Sequence, residues 1–209
     1  MAPRAYNLDT RRQQQSELRS RIVAATAEMH AAKGVVATSY ADIAERAGVS
    51  LPTVYSHFPT PYELIKACTG HVIAGAPALP IEQILGAPDL HTAAERLVAG
   101  MDRLYAHMEP WMAWHESQLV PALAEGAAGA RQQKTALIVA LLSRHPGSGN
   151  RREQAASWES LLSFDLWHRM VRDHKLPRRA VRRILVQLLL AVVGPQPAAP
   201  SPLRPRRTK

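Results

Sequence analysis

An apolar stripe between residues 94 and 108 constrains the fold of this chain more than any other feature. Its members follow one another in steps of three and one, the spacing that places side chains on one face of an α-helix. The stripe consists of Ala94, Leu97, Val98, Met101, Leu104, Tyr105 and Met108. It predicts a helix from about residue 89 to residue 109, interrupted by Pro110. Helical spacing recurs along the chain and strict alternation does not, so we expect an all-α fold of about nine helices.

The formal net charge of +9 is unevenly distributed over the 209 residues. Residues 1–71 contribute +2 and residues 72–209 contribute +7, of which the last six residues supply +4. A positive excess suits a polyanionic partner such as nucleic acid. A solvated helix face and a basic tail explain the same excess. The charge alone leaves both interpretations open.

The single cysteine, Cys68, excludes an intrachain disulfide and fits a reducing compartment. The N-terminal residues lack the apolar run of a signal peptide. The longest apolar segment, residues 184–193, is much shorter than the roughly 20 residues that a membrane-spanning helix needs. We therefore expect a cytoplasmic protein without a membrane partner.

Residues 39–58 contain two short helical segments joined by a tight turn. Ser39 can cap the first helix and Ser50 the second, because both are preferred N-cap residues. Small residues around the turn allow the two helices to approach, as in a helix-turn-helix unit. Successive helical residues are about 100° apart, so an inward Val54 leaves Pro52 and Ser56 on the outer face.

Residues 19–65 resemble the DNA-binding domain of TetR-type transcriptional regulators. The resemblance runs through "RIVAATAEMHAAKG" and "TSYADIAERAGVSLPTVYSHFPTPYELI". Its most specific part is the fixed spacing of Ile43, Ala44, Ala47, Gly48, Val49, Ser50, Thr53, Tyr55, His57 and Phe58. It implies a three-helix DNA-binding domain, followed by a larger helical domain for ligand binding and dimerisation. It also implies a homodimer in which each second motif helix occupies a major groove of double-stranded operator DNA.

The resemblance further implies which side chains meet DNA. Thr53, Tyr55 and His57 match phosphate or base contacts, and Ser39 matches a backbone contact. Leu51 and Pro52 lie where operator sequence is selected. The alternative for Tyr55 and His57 is packing within the motif. The predicted DNA-binding set is Ser39, Ser50, Leu51, Pro52, Thr53, Tyr55, Ser56, His57, Arg11 and Arg12.

Two departures from the family pattern shape this prediction. Pro61 stands where a phosphate-contacting lysine is common, and His30 stands where an aromatic packing residue is usual. The second motif helix itself carries no lysine or arginine. We therefore expect Arg11 and Arg12, in a flexible basic arm, to supply electrostatic attraction to the phosphates. The start of the second motif helix can add N–H donors for an anion.

Methionine and aromatic residues near Pro110 and in residues 158–167 indicate a cavity for a flat or apolar molecule. The alternative is an ordinary hydrophobic core. The predicted ligand-binding set is Met101, Tyr105, Met108, Trp111, His115, Trp158 and Phe164, with Glu116 as a further polar candidate.

Two helices predicted over residues 151–174 and 178–193 are apolar on more than one side. Such helices must be buried on two sides, one of which can face a second subunit. The predicted dimer contacts are Leu162, Leu166, Leu185, Leu188, Leu189 and Val192. The arginines at positions 178, 179, 182 and 183 are then expected to form a solvated flank.

The sequence features divide the chain into four predicted regions. They are a flexible arm over 1–14, a helix-turn-helix domain over 15–72, a ligand-binding and dimerisation domain over 73–194, and a disordered tail over 195–209. We expect a ligand-responsive repressor that binds a pseudo-palindromic operator and is released by a small, mostly apolar or aromatic effector. The sequence contains no phosphate-binding glycine loop and no GxSxG motif, so we expect no enzyme activity or cofactor. No two histidines have the HxxxH spacing, so we expect no metal. Two alternatives stay open, a helical small-molecule-binding protein with a vestigial motif and non-specific nucleic-acid binding by the tail.

Overall fold

The computed structural model describes residues 4–145 and 149–194, with side chains from residue 9 onward. The predicted tail at 195–209 lies outside these residues. The described ranges contain ten α-helices and no strand, which confirms the all-α prediction. The helices are α1 Arg4–Lys33, α2 Tyr40–Ala47, α3 Leu51–His57, α4 Pro61–Ala74, α5 Ile81–Leu85, α6 Leu90–Met112, α7 Pro121–Arg144, α8 Arg151–Leu161, α9 Phe164–His168 and α10 Arg178–Val193.

Helices α1–α4 enclose a small core of their own. Ser39 caps α2 in a capping box with Asp42, and Ser50 caps α3 by accepting the N–H of Thr53, as the sequence predicts. Gly48 adopts a left-handed conformation (φ 64°) that turns the chain between the two helices. The core of this unit consists of Ile22, Val23, Ile43, Ala44, Val54, Phe58 and Leu64.

Helices α5–α10 form a second and larger core around α6. The apolar stripe predicted on α6 is buried along most of its length, and Leu97 is fully inaccessible. The buried carboxylate of Asp102 joins three helices, because it accepts hydrogen bonds from the Trp167 indole at 2.9 Å and from Arg178 at 2.9 Å. Arg178 is exposed, as expected of a solvated flank, but its guanidinium also pairs with this buried carboxylate.

Helix boundaries differ from the predicted ones at several places. Helix α1 begins at Arg4, inside the predicted flexible arm, because a polar segment without proline or glycine can continue a helix that packing starts elsewhere. Helix α6 continues through Pro110 to Met112, so the loss of one N–H near its end does not stop it. Helix α7 runs unbroken through the small residues of the segment EGAAGA.

The helix predicted over residues 151–174 is broken after Leu161. Ser163 accepts the N–H of Leu166 and starts the short helix α9, which passes into a π-helical turn at Arg169–Asp173. The break turns Phe164 and Trp167 into the large core. Among the described residues, no helix is long and apolar enough to cross a membrane.

Candidate nucleic-acid interface

The exposed face of α3 has the composition that the helical spacing predicts. Val54 and Phe58 are fully buried beneath it. Leu51 and Tyr55 are 39% and 51% exposed, and both are flanked by exposed polar or proline side chains. The exposed members are Ser50, Leu51, Pro52, Tyr55 and Ser56, while Thr53 and His57 are half-buried at the edges. The face is thus neutral, shallow and open to a partner.

Most hydroxyl groups on this face already have a partner within the chain. Ser50 Oγ and Thr53 Oγ1 lie 2.7 Å apart, and Ser56 Oγ donates to the Thr53 carbonyl at 3.0 Å. The Tyr55 hydroxyl makes no hydrogen bond with any described residue, and its ring packs on Tyr40 at 4.7 Å between centroids. Tyr55 therefore presents a free donor on a supported ring.

The start of α3 offers fewer N–H donors than the sequence suggests. Ser50 accepts the Thr53 N–H at 3.3 Å, and Pro52 has no N–H to offer. Of the first three residues of the helix, Leu51 alone keeps an N–H that the cap does not engage. Any attraction of an anion to this end is correspondingly limited.

Ser39 is exposed, but its polar groups are engaged with Asp42. Its hydroxyl donates to the Asp42 carboxylate at 2.6 Å and its N–H donates at 2.7 Å. Lys33 lies 2.8 Å from the same carboxylate. The hydrogen bonds from Lys33 and Ser39 hold the pKa of Asp42 well below its usual range. A phosphate at Ser39 would have to displace or share this donor.

Cationic side chains surround the motif rather than belonging to α3. The Arg19 guanidinium stacks over the Phe58 ring at 4.6 Å, which places the exposed part of α1 beside the end of α3. Arg46 is paired with Glu28. Arg11 and Arg12 are exposed on the helical extension of α1, and Arg12 lies 3.8 Å from Asp9. Arg11 has no ion-pair partner among the described residues.

The predicted ligand-binding residues lie in three separate places. Met101, Tyr105 and Phe164 meet in the large core, where the Tyr105 and Phe164 rings are 5.6 Å apart. Trp158 is also in this core, but its indole donates to the Leu189 carbonyl at 2.9 Å. Met108 and Trp111 pack instead against the small cluster of Ala27, Cys68 and Val72.

His115 is exposed, with its ring 6.5 Å from Phe164 and 6.1 Å from His168. Trp167 and His168 stand outside the predicted ligand-binding set but join this aromatic group. Both lie within 6 Å of Phe164, and their spacing of three and four residues from Phe164 on a helix was the available signal. Glu116, the further polar candidate, bonds elsewhere, to the N–H groups of Val35 and Val36.

A surface groove of about 520 Å³ lies between α7 and α8. Its floor includes Val139, Leu142, Ala155 and Ala156, and Arg152 stands at its rim. None of the residues that line it belongs to the predicted ligand set.

The predicted dimer contacts divide into buried and accessible residues. Leu162, Leu185 and Leu189 are almost fully buried in the core of their own chain, so the open face assigned to them was wrong. The pattern shows that a helix is apolar on two sides, but it does not show which side α6 covers. Leu188 is 41% exposed, and Leu166 and Val192 are half-buried.

Fold and surface together define a helix-turn-helix protein with a helical domain attached to the motif. Residues 22–68 match the model of the family described as bacterial regulatory proteins, tetR family, which confirms the resemblance found in the sequence. The match covers the motif and its supporting helices, and not the larger helical domain. No curated relative matches the sequence.

Solved structures of similar fold cover most of the chain. A transcriptional regulator from Rhodococcus sp. Rha1 is 19% identical with a TM-score of 0.65, and the alignment covers 84% of this chain and 95% of that one. NalD, described as the secondary repressor of the MexAB-OprM multidrug efflux pump in Pseudomonas aeruginosa, is 21% identical with a TM-score of 0.65, covering 87% and 98%. EbrR, a multidrug binding protein complexed with imidazole, is 23% identical with a TM-score of 0.56, covering 88% and 93%. These likenesses show that the larger domain shares their fold.

Proposed function

We propose that this protein is a ligand-responsive transcriptional repressor that binds a pseudo-palindromic operator as a homodimer. One observation carries the proposal, namely the exposed α3 face on a helix-turn-helix whose core and caps are complete. A shallow face with Leu51 and Pro52 at its start suits contact with a thymine methyl group better than with a guanine edge. The Tyr55 hydroxyl is the free donor for a phosphate oxygen.

The effector proposed for the larger domain is small and mostly apolar or aromatic. The ring cluster of Tyr105, Phe164, Trp167, His168 and His115 supports this chemistry, because aromatic rings offer flat apolar surfaces. Burial raises the pKa of the Tyr105 hydroxyl, which donates to the Leu162 carbonyl at 2.5 Å, so a ligand there would meet a neutral phenol. NalD and EbrR, as described above, are a repressor and a multidrug binding protein of this fold.

The homodimer is proposed to form through the outer side of α7, α8 and α10. Val139 is 48% exposed and Leu188 is 41% exposed, so α7 and α10 each offer a large aliphatic side chain that a second copy can cover. The small side chains of Ala155 and Ala156 leave the groove open enough for a helix of a second copy to pack there. The contact would set the separation of the two α3 helices.

A selection of random duplex DNA with the full-length chain tests the proposal. We expect enrichment of a site with two half-sites about 34–36 Å apart, the separation of successive major grooves. The variant carrying Thr53→Ala and Tyr55→Phe should lose the enrichment while keeping its helical circular dichroism spectrum. A protein whose motif is vestigial would enrich no sequence. Binding that ignores sequence and disappears on removal of residues 195–209 would instead indicate attraction by the tail.

A further inference from the structure

The end of α6 is tied to the end of α1 by two indole groups. Trp111 Nε1 donates to the Ala27 carbonyl at 2.8 Å, and Trp114 Nε1 is shared between the Pro110 carbonyl at 3.1 Å and the Ala31 carbonyl at 3.3 Å. These bonds run from the larger domain to the helix that supports the motif. They hold α1, but they do not reach the segment that leads into α2.

Glu116 supplies the contact to that segment. Its carboxylate accepts the N–H of Val35 at 2.5 Å and the N–H of Val36 at 3.0 Å, in the turn between α1 and α2. Hydrogen bonds to an ionised acceptor are about twice as strong as those between neutral groups. Two successive N–H groups directed at one anion form a small backbone nest. The larger domain therefore adds two hydrogen bonds to those that Thr38 makes within the turn, to the carbonyls of Gly34 and Val35.

Gly34 makes this close approach possible. Its φ of 82° lies in the left-handed region, and a Cβ there would stand 2.7 Å from Glu116 Oε1. The carboxylate thus occupies the space that a side chain at this position would fill. The chain continues from Val36 to Ser39, the N-cap of α2, and α2 packs directly on α3. Glu116 is therefore connected to α3 by a short path through this turn and α2.

The residue before Glu116 faces the aromatic cluster of the larger domain. His115 has a left-handed backbone conformation (φ 54°, ψ 29°) and lies 3.4 Å from Asp165, next to Phe164. His115 thus contacts the α9 region, while the adjacent Glu116 contacts the turn between α1 and α2. The left-handed angles carry an energetic cost for a non-glycine residue, so the contacts around His115 must hold them.

We propose that Glu116 is the positioning residue that sets the orientation of the helix-turn-helix relative to the larger domain. It acts on DNA through the turn and does not touch DNA itself. The inference rests on the proposed function for its consequence, which is the spacing between the two α3 helices of a dimer. Through the contact of Glu116 with the turn, a change near His115 and Phe164 would alter that spacing.

The first experiment needs no DNA. Spin labels at Ser56→Cys in α3 and Arg103→Cys in α6, in a Cys68→Ser background, report the distance between the motif and the larger domain. Excess unlabelled chain keeps labels on one chain from sensing those on a second. We expect a narrow distance distribution that widens in Glu116→Ala and is partly restored in Glu116→Gln, which keeps one acceptor oxygen. Unchanged distributions in both variants would overturn the proposal.

Glu125→Ala is the matched control. Glu125 also joins the larger domain to the DNA-binding domain, since it accepts the Tyr62 hydroxyl of α4 at 2.6 Å, but it does not contact the turn. The control should keep the narrow distribution. A widening equal to that of Glu116→Ala would show a general loosening and would remove the special role of Glu116.

The second experiment uses the duplex recovered by selection, with one or two base pairs inserted or deleted between the half-sites. The unaltered protein should lose at least tenfold in affinity on these changes, whereas Glu116→Ala should lose less than threefold. A profile for Glu116→Ala as steep as that of the unaltered protein would refute the inference. Absence of any DNA binding by the unaltered protein would instead refute the proposed function, and the distance measurement would still decide the role of Glu116.

Discussion

Tyr55 is the single side chain whose substitution tests the DNA-facing surface most directly. Its ring is supported by Tyr40 and its hydroxyl is free among the described residues, so Tyr55→Phe removes only a donor. Losing one hydrogen bond in each subunit should weaken operator binding about tenfold. Fluorescence anisotropy with the selected duplex measures this loss. Tyr62→Phe, on an exposed tyrosine of α4, should bind as the unaltered protein does, and equal affinities in all three would exclude the contact.

His30 makes the stability of the DNA-binding domain depend on pH. Its ring is buried against Cys68, 3.6 Å from the thiol, and burial lowers its pKa from 6.5 to about 4, despite the opposing effect of Glu116. The stability that the neutral ring provides is complete above pH 6.5. Between pH 6.5 and 4 the unfolded chain binds a proton that the folded chain does not. The free energy of unfolding should fall by about 3 kcal/mol over this window.

Urea titrations at pH 4 to 7 measure that decline. His30→Phe, which removes the titrating group and keeps an aromatic ring, should flatten the dependence. His91→Gln removes an exposed histidine and should leave it unchanged. The same slope in His30→Phe and in the unaltered protein would mean that other groups control the acid transition.

Local residue roles were the most predictable part of this chain. Ser39 and Ser50 cap their helices, and Val54 faces inward, because these outcomes depend on neighbours within four residues. The engagement of Glu116 with Val35 and Val36 could not be foreseen, since these partners are about 80 residues apart in the sequence. The residues next to Glu116 in the sequence do not show whether its carboxylate lines a pocket or links the two domains.

The N-terminal extension of α1 gives a prediction at the scale of one helix. Leu18 is the first residue of α1 that packs on the motif core, so Arg11 and Arg12 stand about 10 Å beyond it along the axis. In the proposed complex, a straight α1 would place these charges alongside the DNA. Replacing both by glutamine removes four charges from a dimer and should reduce the salt dependence of binding by about 3 to 4 units of slope.

Operator affinity measured between 50 and 200 mM salt tests this expectation. The expected change in slope of about 3 to 4 corresponds to the loss of four phosphate contacts. Arg179→Gln with Arg183→Gln changes the same charge on exposed positions of α10 and should preserve the slope. An identical slope in the Arg11 and Arg12 variant would show that α1 does not approach the phosphates.

Helix identity was predictable and helix ends were not, for a physical reason that α6 and α8 illustrate. Pro110 lies close to the end of α6, where the helix can lose a hydrogen bond and still continue for two residues. Ser163 lies inside a stretch of helical spacing, yet its side chain caps a new helix once Phe164 and Trp167 turn into the core. In both cases tertiary packing, which the local sequence does not record, decides between two acceptable local structures.

At the scale of the whole molecule, the sequence does not show which apolar residues lie in the core and which remain on the surface. Leu185 and Leu189 are as apolar as Leu188, and all three lie on one helix, but α6 covers the first two and leaves the third accessible. A helix that is apolar on two sides can turn either side toward the core, and its neighbours decide which. For the same reason, the sequence did not show whether the aromatic residues of the ring cluster form an ordinary core or line a pocket.

The proposed dimer surface yields the prediction that concerns the whole assembly. A stable dimer buries about 1,600 Å² in total, and a charge placed at the centre of such an area loses its hydration without gaining a partner. Ala156 is exposed on α8 beside Val139 and Arg152, so Ala156→Arg adds bulk and a like charge there without disturbing the chain's own core. Sedimentation should then report a monomer, with affinity for the two-half-site duplex reduced to that for one half-site. Ala128→Arg introduces the same side chain on an exposed part of α7 away from the groove, and it should remain dimeric. If Ala156→Arg also remains dimeric, a different surface joins the subunits.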